Sequence, residues 1–141
     1  MERSDLKYLI DTFSEIIRSV HLCSYQQMDH VKLYPGQPKL LAVIYDHEGL
    51  TQKELADKNC VKPASITGML NKLEANGYVY RVPDEADRRN LRVYLTPEGR
   101  DAALLGKRFL IGLAEKMFTD FTEEEIKSFI ELTHKIKSNL Q

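Results

Sequence analysis

The chain has 141 residues, 43% hydrophobic and 29% charged, a balance that excludes a disordered polymer and allows a single domain, 1–141, with one sizeable core. No apolar run approaches the roughly 18 residues of a membrane span, the start Met1-Glu2-Arg3-Ser4-Asp5 is not a secretory signal, and Cys23 and Cys60 are too few for a disulfide framework, so a cytoplasmic protein with no membrane partner is expected. Net charge is −1, yet Thr51 to Arg100 carry nine Lys/Arg against seven Asp/Glu, which gathers positive charge mid-chain.

Residues 5–32 read as one long helix, because Leu6, Leu9, Ile10, Phe13, Ile16, Ile17 and Val20 recur at steps of three and four. Its tail, with Gln26, Gln27, Asp29 and His30, is more polar, and Leu33-Tyr34-Pro35-Gly36 breaks it. A second helix starts near Gln37 with Pro38 in its first turn, buries Leu40, Leu41 and Ile44, and ends at Gly49. Thr51-Gln52-Lys53-Glu54 is a capping-box pattern opening a short third helix that stops around Asn59. Lys62-Pro63 opens a fourth, which runs to Asn76-Gly77.

The period then changes to alternation. Tyr78 to Val82 reads as one strand and Leu91 to Leu95 as another, with the charged connector Pro83–Asn90 between them. Thr96-Pro97 caps a fifth helix with Ala102, Leu105, Phe109, Leu113 and Met117 on one face. Thr122-Glu123-Glu124-Glu125 is a second capping box, opening a sixth helix with Ile126, Phe129, Ile130, Thr133, Ile136 and Leu140 turned inward. The expected fold is mainly α with a small β-wing, in the order α-α-α-α-β-β-α-α.

Residues 37–95 therefore combine short helices with a two-stranded ribbon whose tip is charged, the pattern of a winged helix-turn-helix. Projected at about 100° per residue, the fourth helix puts Ile66, Leu70 and Leu73 on one side. Ala64, Thr67, Gly68, Asn71 and Ala75 fall on the other, with Ser65 and Lys72 between. The outer face fits the major groove of duplex DNA: Ala64 and Gly68 allow close approach, Thr67 and Asn71 offer hydrogen bonds to base edges, Ser65 and Lys72 suit phosphates, and Lys62 at the helix start joins the groove-facing set. A mid-helix glycine costs about 1 kcal/mol relative to alanine, which makes sense where something must come close. In the ribbon tip, Arg88 and Arg89 can enter a narrow minor groove while Asp87 holds an arginine in a fixed fork. Taken singly, each feature also fits an ordinary solvated face or loop.

Over nearly its whole length the chain resembles the MarR (multiple-antibiotic-resistance regulator) family. The resemblance is carried by Gly49-Leu50-Thr51-Gln52-Lys53-Glu54-Leu55-Ala56, Ser65-Ile66-Thr67, Leu73-Glu74-Ala75-Asn76-Gly77-Tyr78-Val79, Asp87-Arg88-Arg89 and Val93-Tyr94-Leu95-Thr96-Pro97-Glu98-Gly99. Lys62-Pro63 departs from the small polar residue common there. The resemblance implies that Asp87 and Arg89 are paired wing residues and that the fourth helix reads the groove. It also implies a two-fold homodimer built from residues 5–32 and 97–140, which binds a pseudo-palindromic operator as a repressor. Relatives bind small aromatic or anionic effectors, for which Arg18, His21, Tyr25, Tyr34 and Tyr45 are the candidates here.

Two other readings stand beside this one. The winged helix can be a protein–protein interaction module, or Cys23 can make the chain a thiol-based redox sensor. Cys23 sits late in its helix, though, and reads as a buried inert thiol, while Cys60 reads as a small side chain packed in the turn of the head. His21, Cys23, His30 and His47 have no metal-ligand spacing, so neither metal nor cofactor is expected. No phosphate loop, nucleophile elbow or paired-carboxylate site points to an enzyme.

Overall fold

The structure, a computed structural model, describes residues 2–28 and 31–141, without the side chains of Tyr25 and Gln27. In chain order the elements are α1 (Arg3–Met28), α2 (Gln37–Asp46), α3 (Gln52–Asn59), α4 (Pro63–Ala75), β1 (Val79–Pro83), β2 (Leu91–Leu95), α5 (Pro97–Met117) and α6 (Glu123–Asn139). This is the expected order. Of the helix expected over 5–32, α1 covers the part to Met28, Asp29 and His30 lie outside the described residues, and Val31 and Lys32 are not α-helical. The strands form an antiparallel ribbon with Val79 opposite Leu95 and Pro83 opposite Leu91.

The helix boundaries follow their local chemistry. Thr51 accepts the Glu54 amide while the Glu54 carboxylate accepts the Thr51 amide, and Thr122 and Glu125 do the same at α6. Thr96 Oγ1 accepts the Gly99 amide at 2.9 Å and opens α5. Gly99 also meets the start of β1 so closely that a Cβ there would sit 1.8 Å from the Tyr78 carbonyl oxygen, so no larger residue fits.

The chain forms two compact units, Met1–Leu110 and Ile111–Gln141. The first holds the core: Leu40, Leu41, Ile44, Leu55, Ile66, Leu70, Leu73 and Val93 are fully buried. The turn between α2 and α3 is stitched to the ribbon, since the Gly49 amide donates to the Val93 carbonyl and the Val93 amide to the Leu50 carbonyl, both at 2.9 Å. An added bridge pairs Thr51 with Arg92. These contacts set the wing beside the helix-turn-helix. In the second unit, Phe118 meets Phe121 and Phe129 edge-on at 5.4 Å each.

Two expectations about side chains fail. Cys60 is exposed, not packed, because it sits at the α3 C-cap with φ of 54° and its side chain leaves the turn. Cys23 is only half-buried. On α6, Phe129, Ile130 and Ile136 are exposed and no residue is buried, and Leu140 at its C-cap is exposed as well.

Candidate nucleic-acid interface

The fourth helix divides as its projection implies. Ile66, Leu70 and Leu73 are sealed in the core, while Lys62, Ala64, Ser65, Thr67, Gly68, Asn71 and Lys72 are exposed. A Cβ added at Gly68 would meet nothing within 4 Å, so the glycine opens a shallow notch facing solvent. Lys72 is not wholly free for phosphate, since its ammonium lies 5.7 Å from the centroid of the Tyr34 ring, within cation–π range.

Beside this face stands the wing. Asp87 grips Arg89 in a fork: its Oδ1 accepts Nε–H and the backbone amide, both at 3.1 Å, and its Oδ2 accepts an Nη2–H at 3.2 Å. That bond holds the Asp87 carboxyl below the usual carboxylate range, and Arg89 remains 91% exposed at the tip. The guanidinium is thus pre-oriented outward, which lowers the ordering cost of inserting it into a groove. Arg88 is exposed beside it.

Sequence reasoning missed the two arginines that build the frame. Arg92 donates to the Asp84 carboxylate and, at 2.7 Å, to the Gly49 carbonyl, so it clasps the wing loop to the α2–α3 turn. The Arg92 bond is the main cause of the lowered Asp84 pKa. Arg81, on β1, donates to Glu74 and Asn71 of α4 and to Gln52 of α3. Glu74 and Arg81 lie seven residues apart across the Asn76-Gly77 stop, a spacing that allows the pair without singling it out.

Residues 33–91 match the sequence profile of the MarR family. The uncharacterized HTH-type transcriptional regulator YwhA of Bacillus subtilis is 32% identical over 97 residues, which are 69% of this chain and 70% of YwhA. The chain belongs to the MarR family. It is a DNA-binding transcriptional regulator of that family and not an enzyme. The regulator SarZ of Staphylococcus epidermidis is 34% identical over 100 residues, 70% of this chain and 64% of SarZ. The crystal structure of Streptococcus pneumoniae FabT in complex with DNA superposes with a TM-score of 0.74 at 25% identity, over 98% of this chain and 96% of FabT.

The candidate effector residues of this MarR protein lie on α1 (Arg18, His21), on the α1–α2 connection (Tyr34) and on α2 (Tyr45). Arg18 and His21 are exposed on α1, and Tyr34 lies under Lys72. Tyr45 is half-buried with the Lys107 ammonium 5.0 Å from its ring centroid, and the Tyr25 side chain lies outside the described residues. A cavity of about 250 Å³ is lined instead by Val31, Tyr78, Glu98, Asp101, Ala102 and Leu105. Among the described residues no cluster of three or more His, Cys, Asp or Glu is placed to hold a metal ion, and no helix is long and apolar enough to cross a membrane.

Proposed function

We propose that the chain binds a pseudo-palindromic duplex operator as a homodimer in the cytoplasm and represses transcription by occupying it. α4 enters the major groove through Ala64, Ser65, Thr67, Gly68 and Asn71, with Lys62 and Lys72 at the phosphates. Asp87, Arg88 and Arg89 form the minor-groove contact. The observation that carries this reading is the open, small-residue face of α4 beside a wing whose Arg89 is already held outward by Asp87. FabT, a structural neighbour solved in complex with DNA, supports DNA as the partner. The dimer reading is supported by apolar side chains that one chain leaves exposed: Leu6, Leu9, Ile10, Phe13, Ile16 and Ile17 on α1, and Phe129, Ile130 and Ile136 on α6. A small aromatic or anionic effector is the finer part of the proposal. Arg18 and His21, exposed on α1, are available to a ligand held between two copies, which acts by its differential affinity for head spacings that do or do not match the operator.

The test is a gel-shift titration at several salt concentrations. Wild type is expected to lose duplex affinity steeply as salt rises, because each phosphate contact releases counterions. Arg89→Ala is expected to weaken binding with the fold intact, and Gly68→Leu to block docking by bulk. Salt-insensitive binding, or none, would favour a protein-interaction module instead, and normal operator affinity in Gly68→Leu would overturn the assignment of the α4 face.

A further inference from the structure

The Asp87 fork fixes the Arg89 guanidinium relative to residues 87–89 alone, since all of its bonds run between those two residues. Where residue 87 stands relative to α4 depends on a second set of bonds. The Asp84 carboxylate joins the two ends of that set: its Oδ2 accepts the Asp87 amide at 3.1 Å and its Oδ1 accepts Arg92 Nε–H at 2.5 Å. Arg92 also donates through Nη1 to the Gly49 carbonyl at 2.7 Å, just before the Thr51 cap of α3. α3 in turn meets the reading face, where Gln52 donates to Thr67 Oγ1 at 3.3 Å. Among the described residues, Arg92 is the one side chain bonded to both the wing loop and the head.

Donor and acceptor match at each joint. A guanidinium only donates, and Arg92 faces a carboxylate and a carbonyl, which accept. The Asp84 side chain is 15% exposed, against 91% for Arg89, so its carboxylate acts inside the loop and not as a surface charge. An arginine that enters a narrow minor groove must arrive at a set offset from the helix in the neighbouring major groove, and each freedom already removed lowers the ordering cost of binding. We infer that Asp84 and Arg92 are positioning residues for Arg89: they hold the minor-groove arginine at a fixed offset from α4, so that wing and reading helix dock as one rigid reader. This rests on the operator-binding reading. Asp84 also brings a negative charge towards the duplex, which by itself weakens binding. Its positioning and its charge therefore act on affinity with opposite signs.

The experiment is a double-mutant cycle in full-length protein, read as affinity for a duplex that wild type selects from a random-sequence pool. Arg89→Ala is expected to weaken binding about tenfold, the scale of one good arginine contact. Asp84→Ala is expected to weaken it about threefold to tenfold, the scale of ordering one long side chain, although it removes a negative charge. Arg92→Met is expected to do the same. In an Arg89→Ala background, each is expected to change affinity by less than about twofold, since no inserted arginine is left to position. Neither residue belongs to the buried core, and Arg92→Met carries the cycle should Asp84→Ala not fold. Losses that add, or Asp84→Ala binding at least as tightly as wild type while Arg89→Ala is weak, would overturn the inference alone. Full affinity in Arg89→Ala would overturn the wing contact, and no salt-sensitive binding of any duplex would overturn the operator reading; the inference falls with either.

Discussion

Thr51 and Thr122 cap their helices with the same reciprocal pair, Thr51 with Glu54 and Thr122 with Glu125. α3 then buries Leu55, Ala56 and Asn59 in the head, whereas α6 buries nothing. α1 buries only Ser24 and Met28 among its described residues, near its end, and leaves its apolar stripe open, with Ile10 66% exposed and Ile17 56% exposed. A cap decides where a helix begins, because it satisfies orphan amides within one turn. Whether the helix is held depends on what covers its apolar stripe, and most helical stability comes from that packing. The head carries its own cover; the outer helices present theirs to something else.

The largest expected effect separates the two regions by cavity and by concentration. Leu70→Ala removes a fully buried side chain and is expected to destabilise the head by about 2–5 kcal/mol, a loss visible as a lower melting temperature at any protein concentration. Ile10→Asp, on the exposed face of α1, should act through assembly. Wild-type melting temperature is expected to rise with protein concentration, as linkage to a dimer requires. Ile10→Asp should abolish that rise and halve the mass in sedimentation. A monomeric wild type would place the exposed faces outside a dimer interface.

A smaller effect compares the two caps directly. Thr51→Ala and Thr122→Ala each remove one cap, at a cost of about 0.5–2 kcal/mol. The Thr51 variant should lower the main thermal transition, because α3 is welded to the core. The Thr122 variant should show mainly as faster amide exchange in the first turn of α6. Equal effects on the main transition would mean that α6 is as firmly packed as α3.

The smallest effect concerns pH. Asp84, Asp87 and Glu74 have lowered folded pKa values, each chiefly through a side-chain hydrogen bond from Arg92, Arg89 and Arg81 respectively. A lowered folded pKa contributes stability that is fully present above the unfolded value, about 4 for carboxylates, and lost as pH falls through the folded value. Thermal melts should therefore show no contribution to pH dependence from these pairs between about pH 5 and 7, and a decline below about pH 4. Asp84→Asn should make that decline shallower. The same decline in the variant would remove the Arg92 clasp as its source.

Much of the architecture was legible because its signals are local. The capping boxes, the breaks at Gly36, Gly49 and Gly77, and the change from helical to alternating period each lie within a few residues of the feature they specify. The two faces of α4 followed from periodicity alone. The Asp87–Arg89 fork spans only two residues; the charged tip allowed Asp87 to hold an arginine, and the family resemblance named which one.

What the tertiary structure alone decided lies between residues far apart in the chain. Arg81 meets Gln52 across 29 positions, and Arg92 meets the Gly49 carbonyl across 43. No periodicity announces such pairs, since any arginine in a ribbon has several carboxylates and carbonyls to choose from until the helices are packed. Sequence by itself determined the order of elements, the buried and open sides of α4 and the charged tip. Only packing decided which donor faces which acceptor on the reading face, because hydrogen-bond direction depends on three-dimensional neighbours and not on spacing along the chain.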